Sequence, residues 1–146
     1  MLSETFYKLW NAGILQRGVW ETIYMTVFST AIAYALGLPL GVILHITDRE
    51  GIRPIPWLNR LLGLAVNFFR SIPFIILMVA MLPVAKLVVG TSLGNKAMIV
   101  MLVIAASPYI ARMVESSLKE VSAGVIEAAQ SMGATNFQII TKVLLP

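Results

Sequence analysis

The sequence predicts an all-α integral membrane protein that crosses the bilayer three times and ends in a short amphipathic element. Three observations support this fold class. First, 58% of the 146 residues are hydrophobic and only 12% are charged, whereas a soluble domain carries about 25% charged residues. Second, the apolar residues come in runs about as long as the ~20 residues that a bilayer-spanning helix requires. Third, the C-terminal segment alternates polar and apolar residues at helical spacing, which predicts a position outside the hydrocarbon.

Composition excludes several function classes. The chain has no cysteine, so it has no disulfide, thiol nucleophile or thiolate metal site, and its one histidine, His45, excludes a multi-histidine metal site. The net charge is +4, which is modest, and the chain has no soluble domain to carry the basic patch that nucleic-acid binding needs. His45 and Asp48 lie at the edge of a predicted loop with no nucleophile beside them, so they are interpreted as solvated loop residues. We therefore expect no enzymatic reaction, no catalytic residue, no metal and no cofactor.

The first predicted span covers residues 19–44, and its part from Tyr24 onward carries no charge. That uncharged part alone is about as long as a membrane crossing requires. Trp20 and Tyr24 lie at the start of the span, and amphipathic aromatic rings favour the headgroup level of the bilayer. We therefore expect both side chains at a membrane interface.

Two glycines near the other end of this span, Gly37 and Gly41, lie on either side of Pro39. Small residues let two helices approach closely, so this pattern predicts a tight helix–helix contact. A proline inside a helix also removes one backbone hydrogen bond, so an ordinary kink is an equal alternative. The sequence leaves both interpretations open.

Residues 57–89 form an apolar stretch longer than one crossing requires, with Arg70 in its middle. A charge at the bilayer centre costs at least ~2.5–3.5 kcal/mol, so we place Arg70 at an interface, where its guanidinium reaches water. A helix over 57–69 then lies on the membrane surface. The second span covers 72–89, with Pro73 in its first turn. The alternative is one long tilted helix with a buried arginine.

The linker GTSLGNK, residues 90–96, partly matches the phosphate-binding pattern G-x-x-x-x-G-K-[ST]. It has one residue too few between the glycines, an extra residue before the lysine and no hydroxyl after it. We therefore interpret it as a turn. The third span covers 97–113, and its exit into water is marked by Arg112, Glu115, Lys119 and Glu120.

Residues 122–145, here called the elbow, carry too many polar residues for a fourth span and instead predict two short helices. Ser122 is of the residue type that caps helix N-termini. Gly133 lies where the first helix ends, and glycine adopts a left-handed conformation there without Cβ strain. Thr135 and Gln138 have the spacing of a capping box, which opens the second helix.

Each predicted helix of the elbow has an apolar face. The spacing assigns Val121, Val125, Ala128, Ala129 and Met132 to the first face, and Phe137, Ile140 and Leu144 to the second. Such an element either connects spans along the membrane surface or presents a rigid helical turn to a partner.

The elbow resembles the EAA loop of ABC-importer permeases, whose pattern is written EAA---G---------I-LP. Residues 127–129 are Glu-Ala-Ala, Gly133 follows after three residues, and Leu145 and Pro146 close the pattern. Val143 replaces the isoleucine and keeps its branched apolar character. Ordinary residue frequencies give the fixed positions a chance of roughly 10⁻⁷ per starting point, so the resemblance is specific.

Three upstream segments resemble the permease of the methionine uptake family, a small type I ABC permease: NFFRSIPFII at 67–76, VGTS at 89–92 and ASPYIARMVE at 106–115. The resemblance implies the N-terminal part of a type I ABC permease fold, within one transmembrane domain at 1–146. It also implies an importer for amino acids, with methionine as the favoured substrate. It names no substrate-binding residue.

In that family the EAA loop is cytoplasmic and docks in a groove of a separate ATPase subunit. The resemblance therefore implies four partners: the ATPase subunit, an extracytoplasmic substrate-binding protein, a second permease copy and the lipid bilayer. The chain is expected in the bacterial cytoplasmic (inner) membrane with its N-terminus outside, which places seven Lys and Arg residues inside and four outside, in the direction of the positive-inside rule. The residues implied for ATPase coupling are Glu127, Ala128, Ala129, Met132, Gly133, Ala134 and Thr135.

The resemblance also implies two further spans beyond Pro146, so we expect a partial permease domain. A competing hypothesis of another class is a small three-span membrane scaffold. A truncated permease without transport activity is a related alternative.

Overall fold

A computed structural model describes all residues, Met1–Pro146, and all of its regular elements are helices, which confirms the predicted all-α fold class. The elements are α1 (Leu2–Asn11), α2 (Ile14–Ile46), α3 (Pro56–Ser71), α4 (Phe74–Ala80), α5 (Leu82–Val89), α6 (Asn95–Leu118), α7 (Ala123–Ser131), α8 (Asn136–Ile139) and a π-helical turn (Ile140–Leu144).

Two long helices, α2 and α6, form the centre of the molecule. Their lengths of 33 and 24 residues and their apolar composition make each of them long enough to cross a membrane. They contain the predicted spans 19–44 and 97–113 and extend beyond them. α6 continues to Leu118, and Arg112 and Glu115 form an ion pair one turn apart within it.

The glycines of α2 lie directly against α6. A Cβ built on Gly37 would lie 2.8 Å from the Cβ of Ile110, and one built on Gly41 would lie 2.6 Å from the carbonyl oxygen of Ala111. Only a residue without a Cβ allows so close an approach. Of the two interpretations left open by the sequence, the tight helix–helix contact is therefore present, and α2 continues as one helix through Pro39.

The segment between α2 and α6 turns sharply after its first helix. α3 ends at Ser71, and α4 leaves at an angle of 107° to it. The turn falls at Ile72 and Pro73, because a proline disfavours helical backbone in the residue before it. The alternative of one long tilted helix across Arg70 is therefore wrong. α3 and α4 together have the length and hydropathy of a third crossing.

The predicted second span at 72–89 is not one helix. It is divided at Met81 into α4 and α5, whose lengths of seven and eight residues are too short to cross a bilayer singly. Pro83 lies in the first turn of α5, and it lacks the N–H that would bond to the carbonyl of Val79 in a continuous helix. α5 packs on the start of α6 through Ala85, Ala97 and Met101.

α1 was not among the predicted elements. All of its residues are exposed, and the rings of Phe6 and Trp10 stack with centroids 6.2 Å apart. Gly13, with φ of +70°, separates it from α2.

The interpretation of His45 as a solvated loop residue is wrong. α2 extends to Ile46, so His45 lies in its last turn and is only 9% exposed. The hydroxyl of Thr47 donates a hydrogen bond to the carbonyl of Ile43 over 2.6 Å, which closes the helix end. Asp48 does lie in the following loop, but it is half-buried and pairs with Lys119.

The largest hydrophobic core lies where the ends of α2 and α6 meet the elbow. Its buried members are Val42, Leu118, Ala129, Ile139 and Leu144. This core positions the elbow relative to the two long helices.

Candidate functional site

The turn of the elbow is built from a helix end. Gly133 has φ of +80°, and its N–H donates to the carbonyl of Gln130 over 2.9 Å. The N–H of Ala134 donates to the carbonyl of Ala129 over 3.1 Å. These two bonds form a Schellman motif, which satisfies carbonyls that a helix end otherwise leaves free. The predicted left-handed glycine at position 133 is confirmed.

Caps define the start of each helix of the elbow. The N–H of Gln138 donates to Thr135 Oγ1 over 3.3 Å, and the N–H of Thr135 donates to Gln138 Oε1 over 2.9 Å, so the predicted capping box is confirmed. Ser122 occupies the N-cap position of α7, but its side chain makes no capping hydrogen bond. The predicted position is therefore right and the predicted side-chain cap is absent.

The inner face of the elbow packs on α2 and α6. Ala129, Ile139 and Leu144 are at most 7% exposed and belong to the core that contains Val42 of α2 and Leu118 of α6. Ala129 is therefore covered by the chain itself, and it is not part of an exposed partner contact as its place in the coupling set suggested. The sequence pattern did not single out Ile139, which is fully buried.

The predicted apolar faces of the elbow are rotated relative to the observed ones. Val125, Met132 and Phe137 were assigned to the apolar faces, but they are 52%, 82% and 74% exposed and do not pack on the core. Ile126 packs against the core instead. Nearly every turn of these helices carries apolar residues on more than one side, so spacing alone did not decide which side faces the long helices.

The outer face of the elbow is exposed and mixed in character. Glu127, Ala128, Met132, Gly133 and Thr135 are exposed, and Ala134 is half-buried. Exposed apolar side chains beside a single carboxylate form a surface that a protein partner can cover. Six of the seven residues implied for coupling therefore lie at or near one accessible surface, and Ala129 lies beneath it.

A charged cluster ties the end of α6, just before the elbow, to the loop after α2 and to α3. Glu115, only 4% exposed, pairs with Arg112 and with Lys119, the latter over 3.1 Å. Lys119 also pairs with Asp48 over 3.2 Å. Arg112 reaches α3, where it donates to Asn67 Oδ1 over 3.1 Å. Buried carboxylates are tolerated when they are paired in this way.

The ionisation of the outer pair follows from these contacts. Burial raises the pKa of Asp48, but the hydrogen bond from the Arg49 N–H and the contact with Lys119 outweigh it, and the net pKa lies below its ordinary value. Burial lowers the pKa of Lys119, but its hydrogen bonds to Glu115 and Asp48 outweigh that effect and raise it. Both groups are therefore charged throughout the physiological range.

The residues predicted for the membrane interface are accessible. Trp20 is 70% exposed and Tyr24 is 40% exposed, with the Tyr24 ring 4.5 Å from that of Phe28. The guanidinium carbon of Arg70 lies 5.4 Å from the ring centroid of Tyr109 on α6, a cation–π contact. Their position at a membrane interface stays a prediction.

Comparison with known proteins identifies the family. Residues 37–146 match the family described as "binding-protein-dependent transport system inner membrane component". The chain is 55% identical over 136 residues to the probable D-methionine transport system permease protein MetI of Vibrio cholerae, covering 93% of this chain and 60% of the relative. It is 51% identical over 133 residues to the D-methionine transport system permease protein MetI of Escherichia coli K12, covering 91% of this chain and 61% of the relative.

A solved structure agrees with these matches. The chain superimposes on a chain of the MetNI methionine ABC transporter in an inward-facing conformation, in its native crystal form, with a TM-score of 0.88 and 52% identity. The match covers 90% of this chain and 61% of that chain. The chain thus spans about three fifths of the length of the curated relatives it matches. From the family match over residues 37–146, the chain belongs to the family of binding-protein-dependent transport system inner membrane components.

Proposed function

We propose that this chain is part of the membrane-spanning permease subunit of an ATP-driven importer for amino acids, with methionine as the favoured substrate. The elbow is its coupling element, to which a separate cytosolic ATPase subunit binds. One observation carries this proposal: the inner face of the elbow shares a core with α2 and α6, while its outer face, with Glu127, is exposed. An element that is packed on the long helices on one side and accessible to a partner on the other can transmit a movement of the partner to those helices.

The chain itself breaks no bond in the solute, and the free energy for transport comes from ATP hydrolysed by the partner. A ligand shifts a two-state transporter only by its differential affinity for the two states. The ATPase must therefore bind the elbow with different affinity in its open and closed forms. The elbow must then move as a rigid body, so that its displacement reaches α2 and α6. The Schellman turn at Gly133 and the capping box at Thr135 supply that rigidity.

The long helices receive the movement as one unit. The elbow contacts both α2 and α6 through the shared core, and Gly37 and Gly41 hold these two helices at backbone contact. A displacement of the elbow therefore moves both helices together, because a densely packed contact transmits strain.

Orientation and the remaining partners follow from the same proposal. The elbow lies in the cytosol, so α6 runs from outside to inside and the N-terminus is outside. The bias of Lys and Arg residues supports this direction. A binding protein delivers the amino acid from outside, and a second permease copy completes the pathway. The names of the matched relatives support methionine as the solute. The three-span scaffold has no comparable support.

The experiment that tests the proposal is recovery of the ATPase subunit with the permease. Glu127→Lys reverses the one charge on the outer face of the elbow and is expected to lower the amount of ATPase that co-purifies, with a matching loss of methionine uptake. Glu4→Lys makes the same change on exposed α1, far along the chain from the elbow, and serves as the control. Unchanged recovery of the ATPase with Glu127→Lys would count against the elbow as the docking element.

A further inference from the structure

A groove of about 510 Å³ opens beside the elbow, between the loop that follows α2 and the first turns of α7. Its walls include Glu50 of the loop, Glu120 of the link to α7, and Ile126 and Glu127 of α7. The groove therefore adjoins the outer face of the elbow without being the same surface.

The wall formed by the loop is rigid. The N–H of Arg53 donates to the carbonyl of Ile46, and the N–H of Ile55 donates to the carbonyl of Thr47, each over 3.0 Å. Asn59 Nδ2 of α3 donates to the carbonyl of Leu44 over 2.7 Å. Since the backbone of the loop is held at both ends, the chain itself keeps Asp48 and Glu50 at the wall of the groove.

The groove concentrates the negative charge of a basic protein. The chain has seven acidic residues and a net charge of +4, and four of the seven line this groove: Asp48, Glu50, Glu120 and Glu127. Glu50, Glu120 and Glu127 form no ion pair, and the one lysine of the lining, Lys119, is paired with Glu115 and Asp48. Three exposed carboxylates therefore remain without a cationic partner.

The lining of the groove also contains a buried polar atom without a hydrogen-bond partner. His45 lines the groove with only 9% of its surface exposed, and His45 Nδ1 has no hydrogen-bond partner. A buried polar atom without a partner costs free energy, so an acceptor at Nδ1 favours a hydrogen-bond donor in the groove beside it. No three acidic or histidine residues of the chain lie close enough together to hold a metal ion.

We propose that this groove receives a lysine- or arginine-bearing segment of the ATPase subunit, next to its contact with the elbow. The proposal rests on the proposed function, since it gives the same partner a second contact. Charge complementarity supports it: unpaired carboxylates attract a cationic protein segment and repel the phosphates of lipid headgroups. Glu50 and Glu120 would thereby align the ATPase on the elbow and speed its association.

The test uses the permease co-expressed with its ATPase subunit. The double variant Glu50→Gln/Glu120→Gln removes two of the unpaired charges and keeps the shape of both side chains. At low salt it is expected to bind the ATPase roughly fivefold more weakly than the wild type. Its binding is also expected to depend less on salt, because exposed ion pairs are screened. The control Glu4→Gln/Glu21→Gln removes two carboxylates outside the groove and is expected to bind as the wild type does.

A labelling experiment tests the occupant directly. Since the chain has no cysteine, Glu50→Cys introduces a single thiol into the groove wall. A membrane-impermeant maleimide is expected to label it in inside-out vesicles without ATPase and to label it much more slowly after the ATPase is added. Equal labelling with and without the ATPase would overturn the proposal. Resistance to labelling before the ATPase is added would also overturn it, because another segment or another copy of the permease would then fill the groove.

These outcomes separate the two proposals. If the wild type retains the ATPase and the double glutamine variant retains it equally at every salt concentration, the groove is not a contact, and the elbow still is. If the wild type retains no ATPase, the proposed function itself is wrong.

Discussion

At Gly133 the backbone turns with φ of +80°, and a Cβ built there would meet nothing within 4 Å. Any effect of a larger residue at this position therefore comes from backbone strain and not from a clash. Residues with a Cβ pay about 1–2 kcal/mol for the left-handed conformation. The shape of the elbow thus depends on one residue whose replacement disturbs no packing.

Gly133→Val is expected to uncouple transport from ATP hydrolysis. The strain of about 1–2 kcal/mol corresponds to a factor of roughly 5–30 in the population of the correctly bent elbow, so uptake should fall by that order. The amount of permease in the membrane should not change, because no core contact is lost. Uptake of labelled methionine and substrate-stimulated ATPase activity measure the two sides of the coupling.

Gly133→Asn is the matched control, because asparagine tolerates the left-handed conformation better than valine. It should retain most of the uptake. Wild-type uptake and ATPase stimulation in Gly133→Val would contradict the role given to the turn.

Residue-scale features were predictable where the signal is local. Gly133 and the pair Thr135 and Gln138 follow from bonds between near neighbours, and both were predicted correctly. His45 was placed in a solvated loop because one polar residue beside charged ones resembles a loop edge. Its burial depends on the contacts of α2 with the rest of the chain, and a single sequence does not contain that information.

At the scale of the elements, the contact between α2 and α6 is the feature that holds the molecule together. Gly41 lies under the backbone of Ala111, where an added Cβ would approach the carbonyl oxygen to 2.6 Å. Gly18, in the same helix, has nothing within 4 Å of the place where a Cβ would be. The same Gly→Ala substitution can therefore be compared at a tightly packed position and at an open position of one helix.

Gly41→Ala is expected to destabilise the protein by about 1–3 kcal/mol, because the helices must separate to admit the methyl group. Gly18→Ala should be neutral or should stabilise α2 by about 0.5–1 kcal/mol, because alanine favours helix. The midpoint of thermal unfolding in detergent measures both effects. Equal midpoints for the two variants would show that the close contact is absent.

The long elements were predictable and the broken ones were not. Runs of uncharged residues identified α2 and α6, and both helices are long and apolar enough to cross a membrane. The division at Met81 depends on Pro83, which is common in the first turn of a helix and equally compatible with a kink. The rotation of the elbow, which exposes Val125 and Met132, depends on packing against α2 and α6.

At the scale of the whole molecule, the elbow, α2 and α6 form one mechanical unit, and the other helices attach to it. The core of Val42, Leu118 and Ile139 joins the three parts. Arg112 links the unit to α3 through Asn67 and Gly63. Movement within the permease is therefore expected at the break at Met81 and at the bend after Ser71, which lie outside this unit.

The resemblance to ABC permeases was recognisable because the EAA pattern fixes several residues over a fixed distance, and the structure explains three of them. Gly133 makes the turn and Ala129 fits beneath it. Glu127 is exposed on the outer face. The sequence could not show which members of the pattern are buried, because that depends on the ends of α2 and α6.

The most direct test of the account is the accessibility of the elbow from each side of the membrane. Met132→Cys places the only thiol of the chain at a side chain that is 82% exposed on the outer face. A membrane-impermeant maleimide is expected to label it in inside-out vesicles, to fail in intact cells, and to be blocked when the ATPase is bound. Labelling from outside intact cells would contradict the account, because the elbow would then lie on the wrong side of the membrane for any cytosolic motor.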